Sequence, residues 1–219
     1  MGATGITETS KQFSSDVSET INWFDDANNS NQLKWEDKLT SMEHDAIKDF
    51  TDMEYDGYFA KIYDTKWDDI SVFDQPMISA LYDALSDYEL KKPITVYRNA
   101  DTKIFGGDGM TYEQIKEFEG KTLHNNGFLS TSAISEAGAQ YGTEGTDVKI
   151  AFKLPKGKGI GAYVGKKGLS YYDSGEKEFL LNNNAFFKVK KVSKPEKPGY
   201  PIKVVMEWVG QSKDQIFKK

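Results

Sequence analysis

Apolar residues recur at three-to-four spacing along the first part of the chain and switch to alternation and short runs after Pro93. Leu33-Lys34-Trp35-Glu36-Asp37-Lys38-Leu39 and the stretch from Met42 to Phe50 read as amphipathic helices. Ser41 is the expected cap of the second, with Glu43 and Asp45 in its first turn. Tyr55, Tyr58, Phe59, Ile62 and Tyr63 continue the helical spacing in aromatic form. Met77, Leu81, Leu85 and Tyr88 predict another helix, with Pro76 in its first turn and Lys91-Lys92-Pro93 ending it.

Beyond that point the chain reads as strands. Ile94-Thr95-Val96-Tyr97-Arg98 is β-branched. Gly106-Gly107-Asp108-Gly109 is a loop. Phe128 to Ser132 is a strand leaving an Asn126-Gly127 turn, and Val148 to Leu154 is a strand stopped by Pro155. Ile160 to Val164 is apolar and flanked by glycines. Glu178 to Leu181, Phe186 to Val189 and Ile202 to Trp208 complete the set. No repeat or long linker divides the chain. The pattern predicts one α+β domain over 1–219, with a mainly helical part at 1–92 and a β-rich part at 93–219.

Composition narrows the chemistry. The chain has 219 residues and no cysteine, which excludes disulfides, thiolate zinc sites and cysteine nucleophiles. His44 and His124 lie far apart without metal-ligand spacing, so both read as ordinary structural or surface residues and no metal is expected. No run approaches the roughly 18 apolar residues of a membrane span. The start, Met1-Gly2-Ala3-Thr4-Gly5, shows neither part of a signal peptide.

Charge is segregated. Residues 1–90 hold 20 Asp and Glu against 6 lysines; residues 91–219 hold 14 against 22 basic residues. The acidic half repels nucleic acid; the basic half suits a phosphate-bearing ligand or an acidic protein surface. Of the 28 basic residues, 27 are lysine and one, Arg98, is arginine. A guanidinium offers a rigid bidentate fork for phosphate that an ammonium lacks.

No glycine pattern of the dinucleotide-binding G-x-G-x-x-G type, no P-loop and no G-x-S-x-G elbow is present. Three short elements remain, in order. They are Val96-Tyr97-Arg98, Gly127-Phe128-Leu129-Ser130-Thr131-Ser132, and Gly175-Glu176-Lys177-Glu178-Phe179-Leu180-Leu181. Singly, each has a bland reading: a surface arginine, an ordinary hydroxyl-rich strand, a solvated strand edge.

Together, in this order and spacing, they resemble the arginine, Ser-Thr-Ser and Glu-x-Glu elements of arginine-specific mono-ADP-ribosyltransferase toxins. The likeness is to the enzymatic components of clostridial and bacillary binary toxins. It spans about residues 94–190 and is looser over the helices before them. The resemblance implies two packed, mainly antiparallel β-sheets forming an NAD⁺ cleft beside N-terminal helices. NAD⁺ would be a consumed co-substrate, with no metal required.

By that likeness, Glu178 is the catalytic carboxylate against the ribose, Ser130 its hydrogen-bonding partner, and Glu176 the acid that selects an arginine acceptor. Arg98 would grip the phosphates, with Tyr97 and Asn99 beside it. Gly127, Phe128 and Tyr141 would surround nicotinamide. Thr131 and Ser132 would secure their strand, and Tyr171 or Tyr172 would meet the target protein.

Asn99 stands where many binary-toxin enzymes have a second arginine. Phe50 and Tyr55 either reach the NAD⁺ site or belong to the core. The implied partner is a host protein bearing an acceptor arginine, with actin as the natural guess. The implied setting is a secreted or injected toxin acting in host cytoplasm; no adaptor domain fits this length, which leaves either another delivery route, such as a partner not encoded in this chain, or a trimmed catalytic domain. Two other readings remain at this point: an NAD⁺ glycohydrolase, with water as acceptor, and a non-enzymatic β-rich interaction module.

Overall fold

Residues 24, 29–52, 69–134, 147–165, 169–170 and 177–212 are described by the computed structural model. Among the described residues, the helices α1 (Ser30–Glu36), α2 (Ser41–Thr51) and α3 (Gln75–Asp87) precede the strands. The cap of α2 is Thr40, not Ser41. The Thr40 side chain accepts from the Glu43 backbone N–H, and the Glu43 carboxylate takes the Thr40 N–H at 2.7 Å. This reciprocal box satisfies two orphan donors, so Ser41 becomes the first helical residue. Pro76 lies in the first turn of α3, as its missing N–H allows. The aromatic helical pattern from Tyr55 to Tyr63 lies outside the described residues.

The helices interlock through their buried faces. α2 packs against α3, with Asp83, late in α3, within electrostatic reach of Glu43 at the start of α2. Trp35 of α1 donates its indole N–H to the Ala84 carbonyl at 2.8 Å and meets the Tyr88 ring edge-on. Ile47, Ile78, Leu81 and Leu85 are fully enclosed between them. Each such side chain removed from water contributes about 1.5–3 kcal/mol.

Ten strands follow. They are β1 (Glu89–Leu90), β2 (Ile94–Ala100), β3 (Thr122–Asn125), β4 (Leu129–Ser132), β5 (Val148–Leu154), β6 (Gly157–Lys158), β7 (Gly161–Tyr163), β8 (Glu178–Leu181), β9 (Ala185–Ser193) and β10 (Ile202–Gln211). β1 and β6 form a small antiparallel pair. The other eight follow the order β3-β9-β10-β5-β2-β4-β8-β7. Every pairing in that order is antiparallel except β10 with β5.

The junction between β2 and β4 is a single register pair, Tyr97 with Ser132. The eight strands therefore behave as two half-sheets: β3-β9-β10-β5-β2 on one side of this seam and β4-β8-β7 on the other. This is the α+β architecture the chain pattern implied, with the two sheets joined at one point.

Alternation sorts each strand's faces. On the inner face of the five-stranded half, Val96 pairs with Phe152, Phe152 with Met206, and Met206 with Val189. All four are buried. A 3-10 turn at Thr102–Phe105 and a short helix, α4 (Tyr112–Lys116), cover that face with Phe105 and Ile115. The β4-β8-β7 half packs toward the helices: Phe179 and Tyr163 meet Phe24, and α3 contacts β7.

Candidate active site

Ser130 and Glu178 face each other across adjacent strands. The Ser130 Oγ donates to Glu178 Oε1 at 2.6 Å. Glu178 opens β8 and is only 5% exposed, so its carboxylate needs such donors to remain charged. From the other side, Arg98 Nη1 donates to the Ser130 backbone carbonyl at 2.7 Å. One hydrogen-bonded line thus runs from the guanidinium of β2 through Ser130 of β4 to the carboxylate of β8. It crosses the seam between the half-sheets.

Several backbone contacts hold Glu178 in place. Its carbonyl accepts from the N–H groups of Val164 and Gly165, each at 3.0 Å, and the preceding Lys177 carbonyl accepts from Ala133 at 2.8 Å. Lys177 has a positive φ of 48°, an abrupt turn into the strand. Gly165 must be glycine for the approach: a Cβ there would sit 2.4 Å from the Glu178 nitrogen. The rest of the hydroxyl strand is tied to backbone. Thr131 Oγ1 donates to the Phe179 carbonyl, and Ser132 Oγ accepts from the Ile134 N–H at 3.0 Å.

Beside Arg98 lies a cavity of about 570 Å³. Its floor is the inner sheet face, with Phe152, Phe187 and Met206; its rim carries Arg98, Asp101, Lys103, His124, Asn125 and Asn126. That volume and mixture suit a nucleotide: apolar surface for a ring, cations for phosphate. Glu178 does not line this space; Arg98 stands at its border with the Ser130–Glu178 pair. A second cavity, about 500 Å³, lies among α1, α3, β1 and β6. Its rim charges include the pairs Lys91–Glu89 and Lys158–Asp87, and it touches none of the three convergent residues.

Residues flagged in the sequence fall into four groups. Arg98, Ser130 and Glu178 come together. Alternation sets Tyr97 and Asn99 on the face of β2 opposite to Arg98, where they pair with Ala151 and Lys149; Tyr97 also pairs with Ser132, the residue across from Glu178, while the cavity is lined by Arg98 and Ala100. Gly127 and Phe128 lie two residues and one residue before β4, both buried. The Gly127 carbonyl accepts from the Asn125 side chain, and Phe128 meets Phe50 edge-on at 5.8 Å. Phe50 therefore packs against the residue beside the hydroxyl strand. Tyr55, Tyr141, Tyr171, Tyr172 and Glu176 lie outside the described residues.

Sequence reading missed the support behind the cavity rim. The turn Asn182-Asn183-Asn184 is buried, with Asn184 at a positive φ of 58°. The Asn184 N–H donates to the Asn126 carbonyl at 3.2 Å, and its side-chain oxygen meets His124 Nε2 at 2.5 Å. His124 also stacks on Phe186. These bonds fasten the β3–β4 connection that forms the rim. A run of three asparagines after an apolar strand was the available signal.

The sequence profile of the ADP-ribosyltransferase exoenzyme family matches residues 25–208. The chain belongs to this family. Among solved structures it is similar to Plx2a, an ADP-ribosyltransferase toxin from Paenibacillus larvae. That match has 26% identity and a TM-score of 0.74, covering 89% of this chain and 97% of Plx2a. C3stau2 from S. aureus, solved with NAD, matches with 20% identity and a TM-score of 0.70 over 90% of this chain and 97% of its own. BECa, from a binary enterotoxin of C. perfringens and solved with NADH, matches with 22% identity and a TM-score of 0.69. It is covered over 48% of its length, against 89% of this chain. No curated protein matches by sequence. The exoenzyme fold is thus shared with toxins that the chain spans almost end to end and with one that it spans by about half.

Proposed function

We propose that this exoenzyme cleaves NAD⁺ at the nicotinamide–ribose bond and transfers the ADP-ribose to an arginine of a target protein. The observation that carries the reading is the line Arg98–Ser130–Glu178 beside a nucleotide-sized cavity. NAD bound to C3stau2 and NADH bound to BECa support the choice of dinucleotide.

Each residue has a physical task. As the ribose C1′–nitrogen bond breaks, its electron pair leaves with nicotinamide and positive charge develops on the ribose. The Glu178 carboxylate, desolvated and oriented by the Ser130 hydroxyl, stabilises that charge and accepts a hydrogen bond from the ribose hydroxyl. A guanidinium has five N–H donors, and the contact to Ser130 uses one; the others suit the pyrophosphate at the cavity rim. The Gly127-Phe128 backbone and Tyr141 are assigned to nicotinamide.

Glu176, two residues before Glu178, is assigned to the acceptor. Its carboxylate pairs with the cationic side chain and takes the proton released as the arginine nitrogen bonds to C1′. Tyr172 or Tyr171 is assigned to positioning the target. We place the action in host cytoplasm after secretion or injection, with actin as the first target to test.

The deciding experiment incubates the protein with labelled NAD⁺ and host-cell lysate, then identifies the labelled residue by mass spectrometry. Label on arginine that disappears in Glu176→Gln supports the reading. Nicotinamide release that is unaffected by agmatine, with no labelled protein, would instead establish water as the acceptor.

A further inference from the structure

The outer face of the five-stranded half-sheet is a lysine field. Strands β3, β9, β10, β5 and β2 carry six lysines, at positions 149, 153, 188, 190, 191 and 203, and one acid, Glu207. Alternation places Lys149 and Lys153 opposite in sense to the buried Ile150 and Phe152, and Lys188 opposite to Phe187 and Val189. Lys149 lies directly across from Lys203, and Glu207 across from both Lys153 and Lys188. A register shift between Val205 and Met206 puts an extra residue in β9 there, so Lys190 and Lys191 are both exposed.

Acid is scarce on this face and already engaged. Glu207 pairs with Lys190 at 2.9 Å, and Lys153 and Lys188 stand close enough to help lower its pKa below the ordinary carboxylate value. Lys203 is held by Glu196 from the neighbouring loop.

We propose that this face docks the protein on an anionic lipid surface. The face is a sheet surface rather than a groove, on the order of 15–20 Å across its strands at the usual spacing. Its charges are all compact ammonium groups, suited to a diffuse plane of negative charge rather than to bidentate recognition of one group. His124 and Phe186 stack on each other at the edge of the sheet, and Tyr97 on the same face of β2 is buried, so among the described residues no ring stands among the lysines as a base-stacking platform.

Other acids sit off this face. The helices α2 and α3, with Glu43, Asp45, Asp49, Asp83 and Asp87, pack at the β7 end of the strand order, and Glu119, just after α4 at the edge of β9, is engaged by Lys116 and the Val192 N–H, with Lys191 close enough to help lower its pKa. Over a screening length of about 10 Å, the local lysine field outweighs the net charge of −6. The floor of the cavity beside Arg98, with Phe152, Phe187 and Met206, is the face of the same strands opposite to the lysines.

The test is sedimentation of the full chain with vesicles of phosphatidylcholine alone or with about a third phosphatidylserine. Wild type is expected to bind the anionic vesicles at about 0.05 M salt and to be released at about 0.5 M. Lys153→Gln/Lys188→Gln/Lys190→Gln is expected to lose about a hundredfold in partitioning, at roughly fivefold per lysine. Lys34→Gln/Lys38→Gln, on and beside α1, is expected to bind as wild type. The triple variant's thermal melt and nicotinamide release from soluble NAD⁺ should remain unchanged, separating this inference from the catalytic one.

Equal binding to neutral vesicles, no binding to anionic ones, or full binding by the triple variant would overturn the proposal. So would tighter capture by polyglutamate or by single-stranded RNA than by the vesicles, lost in the same variant.

Discussion

Ser130 Oγ lies 2.6 Å from Glu178 Oε1, and the pair bridges two adjacent strands. Glu178→Gln keeps the shape and removes the charge. We expect nicotinamide release to fall by about a thousandfold or more, with the thermal melt unchanged. Ser130→Ala keeps the carboxylate but loses its donor; a fall of about tenfold to a hundredfold in kcat is expected. Equal rates in wild type and both variants would remove Glu178 from the chemistry.

Arg98 is the single arginine of the chain and bonds the Ser130 carbonyl with one nitrogen. Arg98→Lys preserves charge and loses the fork. We expect KM for NAD⁺ to rise by about tenfold or more, a loss of at least ~1.4 kcal/mol of binding. Steady-state kinetics over a wide NAD⁺ range measures this. An unchanged KM would place the phosphates elsewhere.

Gly165 touches no reacting atom in this scheme, yet its missing side chain lets Glu178 sit where it does. Any Cβ would meet Lys177 and Glu178 backbone at under 3 Å. Gly165→Ala is expected to lower the melting temperature and to cut activity more than stability, because the displaced backbone carries the carboxylate. Full activity at wild-type stability would show that β7 and β8 can separate freely.

Tyr88 offers a contrasting case. Its ring is wholly buried against Trp35 and Phe179, and its hydroxyl has no hydrogen-bond partner among the described residues. Burial, reinforced by Glu36, pushes its pKa upward. Tyr88→Phe removes the orphan oxygen and keeps the ring packing. Stability should stay level or rise by up to about 1–2 kcal/mol in urea melts. A loss of that size would reveal a partner for the hydroxyl.

Asp83 has a raised pKa, first from partial desolvation and then from Glu43 and Asp87. A carboxylate raised on folding is penalised when ionised, so the penalty is present above the folded pKa and vanishes as pH falls below the unfolded one. Asp83→Asn should therefore stabilise at neutral pH by less than about 1 kcal/mol and lose that advantage in acid. Paired urea melts at the two pH values read the difference directly.

Legibility in the sequence followed the locality of the cause. The strands at 148–154 and 178–181 were readable because β-branched and apolar residues announce them, and Pro155 ends the first. The cap of α2 was misplaced by one residue because Thr40 and Ser41 are both good caps. The reciprocal bond with Glu43 decides between them. The helix at Tyr112–Lys116 was missed although Thr111 and Gln114 form a capping box, since five residues are too few for periodicity.

The candidate site divides the same way. Arg98, Ser130 and Glu178 were named from motif order. That Tyr97 and Asn99 face away from Arg98 follows from alternation once 94–100 is known to be one regular strand. The parallel match of β10 with β5, and the Asn184–Asn126 bond that supports the rim, join residues far apart in the chain. No local pattern specifies them.

The seam between the half-sheets has a mechanical implication. With one ladder pair there, Tyr97 to Ser132, the guanidinium clasp on the Ser130 carbonyl is a principal rivet between the two walls. In the proposed scheme, a phosphate drawing on that guanidinium tugs on Ser130, whose hydroxyl is aimed at Glu178, so the two ends of the line are coupled through one residue.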